Sequence, residues 1–321
     1  MANRLWSGWV VFLAFSPVFL ACGQPAAPVN PQGLCLLSVS SQGRWVADSF
    51  PYALDEPART LTLAPELTEI SGLAMSPDGK HLVCLQDELA TLFFLDPKTG
   101  KIEKRVSFGK EGDYEGVETV GQELFAVRNS GAVVRIRMEQ GAFKEKETFK
   151  NFLNSENDIE GLGYDRVRNS LLLACKGLGG QGAHFTEKKA VYALNLNTLV
   201  LDSVPALCIE YSALKAFLDA NPQIPKQEDL LQDLGSGPED FKFAPSGIAV
   251  HPLSGHWYIL SAKERTLLVV RPTDGQIVHL AKLKGKQLEQ PEGICFDEKG
   301  TLFISSEGKD RAPVVQVYGG R

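Results

Sequence analysis

Five Ser-Gly or Glu-Gly pairs recur along the chain, with glycines at Gly72, Gly116, Gly161, Gly247 and Gly293, spaced 44, 45, 86 and 46 residues apart. Each pair opens a short apolar strand, a turn and a longer apolar strand that ends on a polar residue: SGLAMSPDGKHLVCLQD from Ser71, EGVETVGQELFAVRN from Glu115, EGLGYDRVRNSLLLACK from Glu160, SGIAVHPLSGHWYILSAKE from Ser246 and EGICFDEKGTLFISSEG from Glu292. Short strands repeating every 45 residues or so are the signature of propeller blades. A third apolar run follows in each repeat (TLFFLDP, VVRIRM, AVYALNL, TLLVVRP, VVQVY), and usually a fourth, so a blade is expected to hold four antiparallel strands.

The last repeat ends before a fourth strand. The run RTLTLA over 59–64, just before the first repeat, is placed to supply it and so close the ring without an exposed edge. In the 86-residue interval the fourth strand falls around VPALCIEY, and the residues beyond it read as helix: Ser212 to Asn221 with Ser212 as N-cap, and Lys226 to Leu234 with Gly235 past its end. The fold expected is all-β, a single propeller over 57–321 of five four-stranded blades with a helical insertion at about 212–240. Six blades is the alternative count.

The first 21 residues pair Arg4 and the amino terminus with an apolar run from Leu5 to Leu20, interrupted by Ser7, Gly8, Ser16 and Pro17. That is short and broken for a membrane span and reads as a signal peptide over 1–21. It ends in Phe19-Leu20-Ala21-Cys22-Gly23, which resembles a bacterial lipobox and makes Cys22 the expected lipidation site. The Pro-, Gly- and Ala-rich stretch after it suits a tether, with 22–56 as lipid-attached tether and N-terminal extension. The protein is thus expected to be exported and anchored through lipid to the cell membrane or outer membrane, facing periplasm or exterior. An ordinary secretory cleavage, with Cys22 a bystander, is the alternative.

Of the remaining cysteines, Cys84, Cys175 and Cys295 lie in apolar strand-like runs and read as small core residues. With Cys35 and Cys208 the count is odd and lacks CxxC spacing, so neither a disulfide framework nor a zinc site is expected. A net charge of −6 and pI near 5.5 disfavour nucleic acid as a partner and favour cationic or neutral ones.

If each blade's first strand starts at one mouth of the central channel, the second returns to that mouth. Glu115, Glu160, Glu292, Ser71 and Ser246 then start strands there, and Asp87, Asn129, Lys176, Lys263 and Glu307 end second strands there. The helical insertion is expected over the same mouth. Glutamates from three blades converging on a narrow channel repel one another unless a cation or their own protonation intervenes. With Asp87 and Asn129 beside them the donors are all oxygen, which suits Ca²⁺ or Mg²⁺. The competing reading makes each Gly a device for close backbone approach near the axis, with Lys176 and Lys263 neutralising the carboxylates.

The ordered set LTEISGLAMSPDGKHLVCLQDELATLFFLDPKTGKI, DYEGVE, NDIEGLGYD, PSGIAVHP and QPEGICFDEKGTLFISSEG, over roughly 57–318, resembles the SdiA-regulated, YjiK-like family of exported bacterial proteins. The Glu-Gly elements are also similar to those of phytase-like and gluconolactonase-type propellers, where acidic residues at the channel mouth hold a divalent ion. The resemblance implies a calcium-linked propeller with Glu115, Glu160 and Glu292 as ligands and Asp113 and Asp158 as outer acids. It names neither a small-molecule nor a protein ligand.

GLGGQG at 177–182 matches a dinucleotide string, but a strand follows it rather than a helix, so it reads as a loop over the mouth. His81, His251 and His256 fall in turns of the far face, His279 in an outer strand, and only His184 is placed to reach the mouth. No GxSxG elbow is present, so hydrolysis would need a metal-bound water with a glutamate as base. Two functions are compatible with this pattern: a calcium-binding ligand-binding or signalling module at the envelope, or a metal-dependent esterase, lactonase or phosphoesterase.

Overall fold

The computed structural model describes residues 35–44, 50–139, 142–182, 185–283 and 288–320. Signal segment, Cys22 and His184 therefore lie outside the described residues. Strands β1 (Arg59–Thr62), β2 (Ile70–Met75), β3 (Leu82–Gln86), β4 (Thr91–Leu95) and β5 (Ile102–Ser107) open the chain. β6 (Tyr114–Val120), β7 (Glu123–Arg128), β8 (Val133–Glu139) and β9 (Ala142–Phe149) form the second blade. The third is built from β10 (Ile159–Asp165), β11 (Ser170–Cys175), β12 (Lys188–Asn195), β13 (Val200–Leu201) and β14 (Leu207–Glu210). After helices α1 (Tyr211–Ala220) and α2 (Gln227–Asp233) come β15 (Pro245–Val250), β16 (Trp257–Ser261), β17 (Thr266–Arg271) and β18 (Gln276–Lys282), then β19 (Pro291–Phe296), β20 (Leu302–Ser306) and β21 (Val314–Tyr318).

Five antiparallel sheets result, one per repeat, which decides the blade count at five. β1 pairs antiparallel with β21, Leu61 opposite Val315, so the last blade takes its outer strand from the start of the chain as its sequence implies. In the third blade the outer position is divided between β13 and β14, both on β12.

Each blade alternates side chains to its two faces, so every apolar face needs a neighbour. Five hydrophobic clusters meet that need, one between each adjacent pair of blades. Cys84, Cys175 and Cys295 are buried in them as free thiols.

The helices do not lie over the channel mouth. Their apolar stripe (Leu214, Phe217, Leu218, Leu230) is buried with Ile209 of the third blade and Leu268 and Leu280 of the fourth. Lys282, at the end of β18, pairs with Asp233 of α2. The insertion is a wedge filling the outer gap where the third blade's last strand is shortened. The first helix starts one residue early, with Glu210 at its cap and no side-chain cap bond, because Glu210 is still paired to Lys188 in the sheet. Gly235, at φ 98°, ends the second as expected.

The described part of the N-terminal extension is packed on the propeller. Residue Ser38 bridges Cys208 of β14 and Ser40 bridges Gln276 of β18, both parallel, and Val39 is buried with the wedge. Farther on, Phe50 stacks on His279 at 3.8 Å and the Tyr52 hydroxyl donates to the Gly300 carbonyl at 2.6 Å. Cys35 and Cys208 form a disulfide, Cα–Cα 5.8 Å, contrary to the expectation from an odd count without CxxC spacing. The two residues are 173 apart in sequence, and only the wrapping of the extension brings them together.

Candidate functional site

The register explains the repeated glycines. In every blade the inner strand carries a bulge at or beside the glycine, between Ser71 and Leu73, Tyr114 and Gly116, Ile159 and Gly161, Pro245 and Gly247, and Pro291 and Ile294. A Cβ on Gly72 would stand 2.6 Å from the Val117 nitrogen, one on Gly247 2.7 Å from the Glu292 carbonyl, and one on Gly293 2.7 Å from Leu73 Cβ. The glycines thus make a closed ring in which each inner strand presses on the next, and the residue before each glycine stands just above that constriction.

Those residues are Ser71, Glu115, Glu160, Ser246 and Glu292, as the repeat implies. The second strands return beside them. Gln86, Arg128, Cys175, Ser261 and Ser306 pair with the first residues of the inner strands, so the next residues complete the mouth: Asp87, Asn129, Lys176, Ala262 and Glu307. In the fourth blade the equivalent position is Ala262, buried, and Lys263 lies one residue farther on, exposed. Lys263 is therefore not an element of this ring.

Lys176 is the hub. Its ammonium bonds Glu160 Oε1, and Glu292 and Asp158 also raise its pKa against the opposing effect of burial. The backbone fixes it: Lys176 N donates to the Asp158 carbonyl at 2.9 Å, and Asp158 holds the left-handed conformation at φ 48°. Lys189 Nζ donates to the carbonyls of Lys176 and Gly177 at 2.6 and 2.8 Å, with burial lowering its own pKa. Lys189 was not singled out from sequence, although the pair Lys188-Lys189 ahead of an apolar strand places one of the two inward.

Lys176 faces several carboxyls. Glu160 is raised by burial, opposed by Lys176, and Glu292 is pushed well up by burial and by Glu160 and Glu307. Glu115 is pushed up to about 7 by burial, then by Asp158 and Asp87. Glu307 reaches about 7 through burial, opposed by Lys309, with Asp87 and Glu69 adding to the rise. Burial and Glu69 raise Asp87 as well. Glu160 Oε2 is buried and has no hydrogen-bond partner.

Asn129 is turned to Asp113, its Nδ2 donating at 3.2 Å, and Ser246 Oγ donates to the Pro291 carbonyl at 2.8 Å, sealing the fourth blade to the fifth. Glu264, absent from the sequence expectations, is buried on this side and accepts from Ser261 Oγ at 2.7 Å, and burial raises it.

The donors fit a hard cation in kind, and the orphaned Glu160 Oε2 is an acceptor that a cation or a proton would satisfy. Among the described residues no three His, Cys, Asp or Glu side chains are gathered into a metal-ligating cluster. Lys176 holds the charge balance at the hub.

The family model described as SdiA-regulated matches residues 46–176 and 230–309, well over half of the chain. The chain belongs to the SdiA-regulated family. The gap between the matched segments of this SdiA-regulated protein contains β12 to β14, α1 and the start of α2. Among solved structures it is similar to the glutaminyl cyclase of Myxococcus xanthus, at 12% identity and TM-score 0.51, covering 82% of this chain and 94% of that one. It is also similar to the PQQ-bound aldose sugar dehydrogenase of Streptomyces coelicolor, at 13% identity and TM-score 0.48, covering 82% and 97%. At 12% identity the likeness to the cyclase is one of fold.

Proposed function

We propose that this SdiA-regulated protein is an envelope-anchored propeller whose acidic channel mouth binds a hard divalent cation, Ca²⁺ before Mg²⁺, as a ligand-binding or signalling module. One observation carries it: Glu160 Oε2, buried and unpartnered, in a mouth where Glu115, Glu292 and Glu307 are all raised by burial although Lys176 opposes the rise in each. Glu115, Glu160 and Glu292 would hold the ion, with Asp158 and Asp87 as further acids beside Glu115. The ion supplies the positive charge that otherwise has to come from protons. The Cys35–Cys208 disulfide supports export, because such bonds persist in oxidising compartments. Anchoring rests on the lipobox-like sequence at Cys22.

A metal-dependent hydrolase is the second reading, favoured by Glu115, a part-exposed carboxyl raised to about 7 and so poised as a base. Thermal unfolding with and without Ca²⁺ tests the binding reading. An upward shift in Tm at millimolar Ca²⁺, absent in Glu160→Gln, supports it, and the same Tm in both conditions removes it. Chelator-sensitive turnover of an ester, lactone or phosphoester would favour the hydrolase.

A further inference from the structure

The seam between the first and second blades opens, on the side opposite the channel mouth, into a cleft of about 410 Å³. Its walls come from the turns β2–β3 and β6–β7, from β4 and β5, and from the β8–β9 hairpin. Sites for small molecules span roughly 300–1,000 Å³ and pair an apolar lining with a few placed polar groups. This cleft has both.

The apolar part is aromatic and thioether. Phe94 of the first blade and Phe143 of the second belong to the hydrophobic cluster that fills the seam, and their rings stack with centroids 5.6 Å apart and planes at 22°. Both rings are buried, whereas Met138, directly across the hairpin from Phe143, is 56% exposed at the cleft. An unbranched, polarizable side chain at that place can adjust to an apolar guest.

The charged groups differ in what they already hold. Arg137 is bonded to Glu123. His81 Nε2 lies 2.9 Å from Glu103 Oε2, and Asp78 accepts from Ser76 Oγ at 2.6 Å and from the Lys80 nitrogen at 3.1 Å. Lys104 is the exception. Its ammonium stands 5.7 Å from the centroid of each stacked ring, and among the described residues it makes no hydrogen bond or ion pair. A ring face attracts an ammonium but gives its three N–H donors no lone pair to bond. The cleft therefore offers an apolar floor beside one unsatisfied positive charge, while its acids are engaged and leave a cationic head no open partner. One ammonium matches one negative charge, so a singly charged carboxylate suits it better than a phosphate.

We propose that this cleft binds a small apolar monocarboxylate, with the carboxylate on Lys104 and the apolar body against Phe94, Phe143 and Met138. The site is separate from the channel mouth and does not depend on a cation there.

The test is calorimetric titration of the purified full-length protein in chelator, which takes the channel-mouth cation out of the measurement. Octanoate and 2-naphthoate are the probes, with octan-1-ol, 2-naphthol and octylamine as their neutral and cationic counterparts. Lys104→Met keeps the stem and removes the charge, and Met138→Glu sets a carboxylate at the rim; both side chains are exposed, and an unchanged Tm checks that the fold is kept. At least one carboxylate is expected to bind at a single saturable site, about tenfold or more tighter than its neutral counterpart, and to weaken about tenfold or more in each variant. Tighter binding of octanoate assigns the apolar body to an acyl chain, and tighter binding of 2-naphthoate assigns it to an aromatic ring. No saturable heat with either carboxylate at millimolar concentration overturns the proposal. So do neutral or cationic counterparts that bind as well as the carboxylates, or affinities that both variants leave unchanged.

Discussion

Lys176 bonds one carboxylate oxygen of Glu160 and leaves the other, Oε2, buried without a partner. The pair is therefore half satisfied, in surroundings where Glu292 and Asp158 also draw on the same ammonium. Removing it leaves carboxyls that are already raised and so take up protons. Lys176→Met is expected to cost about 1 kcal/mol at pH 6 and to approach the roughly 3–5 kcal/mol of a broken buried pair at pH 9, where those protons are lost. Denaturant unfolding at the two pH values reads the difference.

The pH dependence of the parent protein has a definite sign. Glu115 and Glu307 titrate near 7 in the fold against an ordinary value of 4.5, so the folded state keeps protons that the unfolded chain has released. Their contribution is whole below about pH 4.5 and is lost as pH rises through 7. In chelator, Tm should fall between pH 5 and 8, and Glu115→Gln should flatten that fall. A Tm that rises across the same window would contradict the assignment.

The glycine ring gives a sharper stability test. At Gly72 an added Cβ meets the Val117 nitrogen at 2.6 Å with φ at 55°, whereas at Gly121, φ 60°, nothing lies within 4 Å. Gly121→Ala should cost about 1 kcal/mol for the left-handed conformation alone, and Gly72→Ala about 2–4 kcal/mol once overpacking is added. Equal costs in chemical denaturation would mean that the close approach of the inner strands does not depend on their glycines.

The disulfide closes most of the chain between the extension and the third blade. Cys35→Ala with Cys208→Ala should lower stability by about 2–5 kcal/mol, as should reductant on the parent protein. Unfolding followed with and without reductant checks it, and the double variant should be insensitive to reductant.

Much of the fold was legible because the axis of a propeller imposes a local requirement. Close approach there demands glycine, so the blades announce themselves at Gly72, Gly116, Gly161, Gly247 and Gly293. Closure by residues 59–64 was legible for a similar reason, since the last repeat lacked a strand that only the chain start could supply. What failed depended on tertiary contact. Lys263 looks like the end of its strand by eye, and only pairing of Pro245 with Ser261 shows that Ala262 holds the position. The amphipathic pattern of α1 shows that Leu214, Phe217 and Leu218 must be covered but not by what, and the cover is the flank of two blades rather than the channel mouth. Pairing of Cys35 with Cys208 rests on the path of the extension, which carries no repeat of its own.

Calorimetric titration of the purified protein with Ca²⁺ at pH 6 and pH 8, repeated on Glu160→Gln, bears most directly on the channel mouth. A cation held by raised carboxyls should show one site that releases protons on binding, tightens about tenfold or more from pH 6 to pH 8 because the ion replaces those protons, and is lost in Glu160→Gln. Equal, pH-independent heats in the two proteins, or none at millimolar Ca²⁺, would contradict it.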